Sequence, residues 1–159
     1  EVLDWDPSLV QHWPSVSPAL KKYLLAAGDV VIAMDGSLVG RSFGVMSEND
    51  LPALLLQRVA RIRSRNIVQR YLRHWVCSPF FTSHCDEVKT VTAIPHISPE
   101  DIRSFEIDLP TTKEEQSEIA DVLDDLISEI SALGEKLGKA KALKQGMMQE
   151  LLTGRTRLI

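Results

Sequence analysis

Apolar positions change their spacing along this chain, and each change marks a different element. Val30-Val31-Ile32-Ala33-Met34 is an unbroken β-branched run and predicts a buried strand. Gly28-Asp29 turns the chain into it and Asp35-Gly36 turns the chain out, toward a second strand over Leu38–Met46 that contains Gly40. Leu54–Ile62 alternates and predicts a third strand. A helix follows from a Ser64 or Asn66 cap to about Val76, with Ile67, Val68, Tyr71, Leu72 and Trp75 inward, and Ser78-Pro79 ends it. Before these, residues 1–16 carry Trp5, Trp13, Pro7 and Pro14 as an extended segment, and Ser17-Pro18 opens a short helix to about Leu25. After them, residues 82–96 read as a polar, threonine-rich loop. Ser98-Pro99-Glu100-Asp101 caps another short helix, and Phe105–Leu109 alternates as a final strand.

The last quarter has the longest period. Ile119, Leu123, Leu126, Ile130, Leu133, Leu137 and Ala140 alternate four-three, the narrow seam of a coiled coil. Thr112 and Glu115 suit a capping box at its start, and Gly154 suits the left-handed position after its last turn. Acids fill the first half (Glu114 to Glu129) and lysines the second (Lys136 to Lys144), each opposing the helix dipole. About forty residues give a rod of roughly 60 Å, too long to bury its seam on one small domain. It calls for another helix. Beyond Ala140 the apolar surface broadens to Leu143, Met147, Met148, Leu151 and Leu152, a face for a different contact. The domain boundary belongs near Pro110: residues 1–110 as one domain, 111–159 as the helical region.

Composition narrows the reading further. The 159 residues contain no apolar run long enough to span a membrane, and no charged-then-apolar leader opens the chain. Glu1 rather than methionine comes first, which suggests a fragment or a processed product. Two cysteines point to a cytoplasmic protein rather than a disulfide scaffold. His74, Cys77, His84 and Cys85 invite a zinc reading, but their spacing matches no common zinc knuckle and Trp75, Val76, Phe80 and Phe81 surround them. Two buried thiols fit better. The net charge is −4, yet no acid lies between Asp50 and Asp86, where Arg58, Arg61, Arg63, Arg65, Arg70 and Arg73 fall. Phosphate, if bound, belongs against this central part.

Catalytic signatures are thin. No phosphate-binding glycine loop and no methyltransferase motif is present. Glu87-Val88-Lys89 matches half of a metal-dependent nuclease site but lacks a second carboxylate on a nearby strand. A binding reading fares better. Arg58, Arg61 and Arg63 on the third strand, with Arg65, Arg70 and Arg73 on the next helix, present guanidinium forks suited to phosphate or guanine; the plain alternative is a solvated basic face. Ser37 and Arg41 beside the glycine hairpin, with Lys89, Thr90 and Thr92 on the polar loop, are the choice for base-edge contacts. The tryptophans read as core or cap residues.

Two segments carry a resemblance. Leu109-Pro110-Thr111-Thr112-Lys113-Glu114-Glu115-Gln116-Ser117-Glu118-Ile119-Ala120 and Leu143-Lys144-Gln145-Gly146-Met147-Met148-Gln149-Glu150-Leu151-Leu152-Thr153-Gly154 closely resemble the opening and closing of the spacer helix in type I restriction–modification specificity subunits. Thr111 stands where the family usually has a second proline. Leu25 to Asp29, Gly36 with Gly40, and Tyr71-Leu72 to Ser78 match that family's recognition domain, so the resemblance runs from about residue 20 to the end. Family domains usually carry several dozen more residues ahead of this point, so the opening part is missing or replaced by residues 1–19.

The resemblance implies an α+β protein: a small mixed α/β target-recognition domain followed by one long helix in an antiparallel coiled coil. Its seam would comprise Ile119, Leu123, Leu126, Ile130, Leu133, Leu137, Ala140, Met147 and Leu151. The counterpart would be a second copy or another half-subunit. The implied function is non-catalytic recognition of double-stranded DNA. Methyltransferase subunits would dock on the framework and a restriction subunit would join them; S-adenosylmethionine, ATP and magnesium would be theirs, with no cofactor or metal in this chain. The rival is a coiled-coil assembly module that does not read DNA.

Overall fold

A computed structural model describes residues 14–157. The segment containing Trp5, Trp13 and Pro7 lies outside them. By its contacts the chain divides into two compact units, 1–118 and 119–159.

The first unit is built on a three-stranded antiparallel sheet in the order β2-β1-β3, with β1 at Val30–Ala33, β2 at Phe43–Val45 and β3 at Val59–Ile62. The unbroken apolar run of β1 has its explanation in position: it is the central strand, and Val30, Val31 and Ile32 are all buried. Val30 pairs with Val45 on one side and Ile62 on the other. Two expected strands are shorter than their patterns. Residues 37–41 form a turn, leaving only Phe43–Val45 for β2. Arg58 adopts a left-handed φ of 66°, which breaks the Leu54–Ile62 alternation and delays β3 to Val59. Leu54 keeps a single bridge to Leu24.

Three helices pack on the sheet. The first, α1, covers Gln69–Val76, later than the sequence suggests. Ser64 does not cap it: its hydroxyl accepts from the Asn66 and Ile67 N–H groups and closes a turn ahead of the helix. Ser78 both ends α1 and starts α2 (Pro79–Val88), accepting from Phe81 N with Pro79 in the first turn. Residues 82–88, expected as loop, are therefore helical. They are held because Phe81 and Cys85, four apart, both face the core. The loop proper begins at Lys89. Ser98 and Asp101 form the expected capping box of α3, Pro99–Arg103.

The expected strand over Phe105–Leu109 is absent. Its alternation reflects burial rather than a ladder: Phe105 packs on Phe81 with ring centroids 5.0 Å apart, and Tyr71 Oη donates to Asp108 O. Pro18–Tyr23 is a 3-10 turn rather than an α-helix, and the Ser17 side chain makes no cap bond. The core gathers Val30, Ile32, Val39, Phe43, Val76, Phe81, Cys85 and Ile97. Gly40 explains the tightness between the hairpin and α2. It sits at φ +73°, and a Cβ there would come 2.3 Å from Cys85 Cβ.

The long helix, α4, runs Lys113–Leu152 without interruption, about 60 Å at the standard rise. Thr112 Oγ1 accepts from Glu115 N, and Gly154 takes the left-handed conformation at φ +72°. Its first turn belongs to the first unit. Gln116, 3% exposed, accepts from Val68 N at the head of α1 and donates to Pro110 O. Within the second unit most apolar positions from Val122 to Leu152 stand open: Leu126, Ile130, Leu133, Leu137 and Met147 are 50% to 68% exposed, while Leu123 and Leu151 are half-buried. Among the described residues no helix is long and apolar enough to cross a membrane.

Candidate nucleic-acid interface

Three segments of the first unit meet beyond the C-terminal end of β1. The Asp35–Arg41 turn follows β1, the Gln57–Arg58 turn precedes β3, and the Lys89–His96 loop follows α2. Backbone bonds lock them together: Met34 N to Arg58 O at 2.8 Å, Gly36 N to Pro95 O at 3.0 Å and Ile97 N to Met34 O at 2.9 Å. Thr90 closes the third loop on itself, its N–H donating to His96 O and its hydroxyl accepting from His96 N. Thr92 donates to Ile94 O. The result is a preformed loop with Val91 fully exposed and Ile94 largely so. Met34, Asp35, Gln57, Arg58, Ile94 and His96 line a shallow concavity here.

Two small charge clusters sit on this surface. Asp86 accepts both guanidinium nitrogens of Arg41 and the Lys89 ammonium at 2.6 Å. Arg41 first, then Lys89, holds the Asp86 carboxyl down at about 2. Asp35 offers one oxygen to Arg58 at 2.5 Å and the other to His96 Nδ1. The His96 hydrogen bond, followed by Arg58, keeps Asp35 below the usual carboxylate range. Asp35 and His96 escaped the sequence reading. The Asp-Gly turn was visible, but its closure onto a loop sixty-one residues away was not.

The six central arginines do not form one row. Arg58 belongs to the loop surface and its side chain is 75% exposed. Arg61 donates to the carbonyls of Lys22 and Leu24, tying the N-terminal turn to β3. Arg63, at the opposite end of β3 from Arg58, grips Asp29 through two nitrogens; Asp29 is 1% exposed and also accepts from Ala26 N. That bond raises the Arg63 pKa. Arg65 is exposed, and its carbonyl accepts from Lys113 Nζ. Arg70 donates to Ser117 Oγ at 3.2 Å and is exposed, while Arg73 is half-buried on α1. Ser37 is exposed in its turn, and Thr90 and Thr92 contact each other at 3.3 Å. The loop residues Ser37, Arg41, Arg58, Lys89, Thr90 and Thr92 are thus brought to one surface, whereas Arg63 lies at the other end of β3 and Arg65 and Arg70 lie by Lys113 and Ser117 at the start of α4.

The cysteines and histidines have structural places. Cys85 is buried against Gly40, and burial pushes its thiol up to about 11. Burial raises Cys77 as well. The His84 ring packs on Phe81 and Phe105, with Nε2 against Asp101 O at 2.8 Å. Glu87-Val88-Lys89 lies at the end of α2, not on the strand that a nuclease motif requires.

Comparison with known proteins adds the lineage. Residues 14–142 match the family described as the type I restriction modification DNA specificity domain. The specificity subunit of the type I restriction enzyme EcoAI from Escherichia coli is 31% identical over 117 residues, 71% of this chain and 20% of that protein. The specificity subunit of the type I restriction enzyme MjaVIII from Methanocaldococcus jannaschii is 28% identical over 157 residues, 92% of this chain and 37% of that protein. This chain therefore spans a fifth to somewhat over a third of the relatives it matches. The family match takes in the sheet, the loop surface and most of α4, and by that match the chain belongs to the type I restriction–modification DNA specificity domain family.

Proposed function

We propose that this chain is a non-catalytic DNA-recognition element of a type I restriction–modification complex. Residues 1–110 act as the target-recognition domain and 111–159 as the spacer. The observation that carries the reading is the convergence of three mutually bonded loops, bearing Ser37, Arg41, Arg58, Lys89, Thr90 and Thr92, in a chain of this family. Hydroxyls and guanidinium forks on rigid loops suit base edges and phosphates. Arg65, Arg70 and Arg73, on and beside α1, are candidates for flanking phosphates. Arg61 and Arg63, already bonded inside the domain, act mainly by holding it together.

The spacer pairs antiparallel with a second helix through Ile119, Leu123, Leu126, Ile130, Leu133, Leu137, Ala140, Met147 and Leu151. Charge supports that direction: acids run from Glu114 to Glu129 and lysines from Lys136 to Lys144, so an antiparallel neighbour of the same sequence sets each acidic half beside a basic one. The counterpart is a second copy or another half-subunit. Methyltransferase subunits dock on this framework and a restriction subunit joins them. S-adenosylmethionine, ATP and magnesium are used by those partners in the cytoplasm.

Binding to a random-sequence duplex, titrated with salt, tests the reading. Wild-type protein should bind at low salt, and Arg58→Ala should reduce the steepness of the salt dependence by about one phosphate contact. A chain that binds no duplex at low salt is an assembly module instead.

A further inference from the structure

The Asp35–His96–Arg58 cluster has a chemistry that a plain basic patch lacks. Asp35 is mostly covered, with a side chain 17% exposed, whereas the His96 and Arg58 side chains are 47% and 75% exposed. Each carboxylate oxygen is committed, one to each neighbour. Because an ionised carboxylate only accepts, the His96 nitrogen facing it, Nδ1, must carry the proton. That fixes the tautomer. Nε2 makes no hydrogen bond among the described residues and is left as the working atom. When the ring is neutral, Nε2 is a bare acceptor and the cluster (one arginine, one carboxylate) has no net charge. When the ring is protonated, Nε2 becomes a donor and the cluster carries one positive charge. The charged groups facing His96 are Asp35, Arg58 and, from α3, Asp101, whose carboxylate is already engaged by the Ser98 N–H and hydroxyl.

We infer that this cluster is a phosphate-contact site of the loop surface, to which His96 adds one further contact when its ring is protonated. The inference rests on the DNA-recognition reading and adds a residue and a control to it. A phosphodiester oxygen beside Nε2 favours the imidazolium, so binding takes up a proton. Asp35 is a positioning residue that aims both cations, and His96 touches the phosphate.

The test uses the full chain and a random-sequence duplex, with affinity followed against salt at pH 5.5 and pH 8. The wild type should show a salt slope steeper by about 0.9 at the lower pH, one extra phosphate contact. That amounts to roughly threefold more affinity lost between 50 and 200 mM salt at pH 5.5 than at pH 8. His96→Gln should lose the difference between the two pH values, its salt slope at pH 5.5 matching its own slope at pH 8. NMR titration of the wild-type His96 ring should show its pKa rising when duplex is added, independently of any variant. Binding with the same slope at both pH values, a pH difference that survives His96→Gln, or an unmoved ring titration overturns this inference and leaves DNA recognition standing. Absence of binding at either pH overturns both.

Discussion

Arginine 63 shows how the same residue type serves opposite ends. It was one of six arginines in an acid-free stretch, and nothing in the chain's order separates it from Arg58. Antiparallel pairing of β3 with β1 does: Val59 lies level with Ala33 and Ile62 level with Val30, so Arg58 lands at the loops and Arg63 at the buried Asp29. Removing Arg63 would leave a carboxylate with one remaining N–H donor in the interior. Arg63→Ala should therefore destabilise the fold by about 3 kcal/mol, the penalty of an orphaned buried charge, while Arg58→Ala should leave stability within about 1 kcal/mol, as a surface pair does. Urea unfolding of both variants checks this. Equal, small losses would mean that Asp29 does not depend on its arginine.

At the scale of elements, what was legible followed local rules and what was not depended on distant partners. The β1 run, the Ser98–Asp101 capping box and the left-handed Gly154 each follow from residues within a few positions of one another. Helix α2 was hidden because Thr82-Ser83-His84-Cys85-Asp86 are poor helix formers; tertiary packing of Phe81 and Cys85 overrides that preference. The third strand lost its first half to one left-handed residue. Phe105–Leu109 looked like a strand because alternate burial and ladder pairing leave the same trace in a sequence. Gln116 was the least visible of all. It sits among exposed acids at the start of α4, yet its side chain joins the head of α1 to Pro110. Gln116→Ala leaves the Val68 N–H and the Pro110 carbonyl without these partners, and should lower stability by about 1–3 kcal/mol. A calorimetric melt reads the change, with an unaltered midpoint contradicting the role given to this side chain.

For the whole molecule, the sequence period told more than any single residue. A seam of open leucines and isoleucines along a 40-residue helix has no counterpart among the described residues of its own unit, and acids fill the first half of that helix and lysines the second. What the sequence could not show was how the loop residues gather, because two strands and two α-helices lie between Ser37 and Thr90, with Arg58 among them. On the proposed function, the loop surface reads bases and the helix spaces two such surfaces. Selection of bound sequences from a random duplex library tests that joint claim most directly, run in parallel for the wild type and for Leu126→Glu/Leu133→Glu. If two copies pair, the wild type should enrich an interrupted palindrome and the double variant a single half-site. A wild-type pool with no enriched sequence, or the same interrupted palindrome from the variant with charges in its seam, would contradict it.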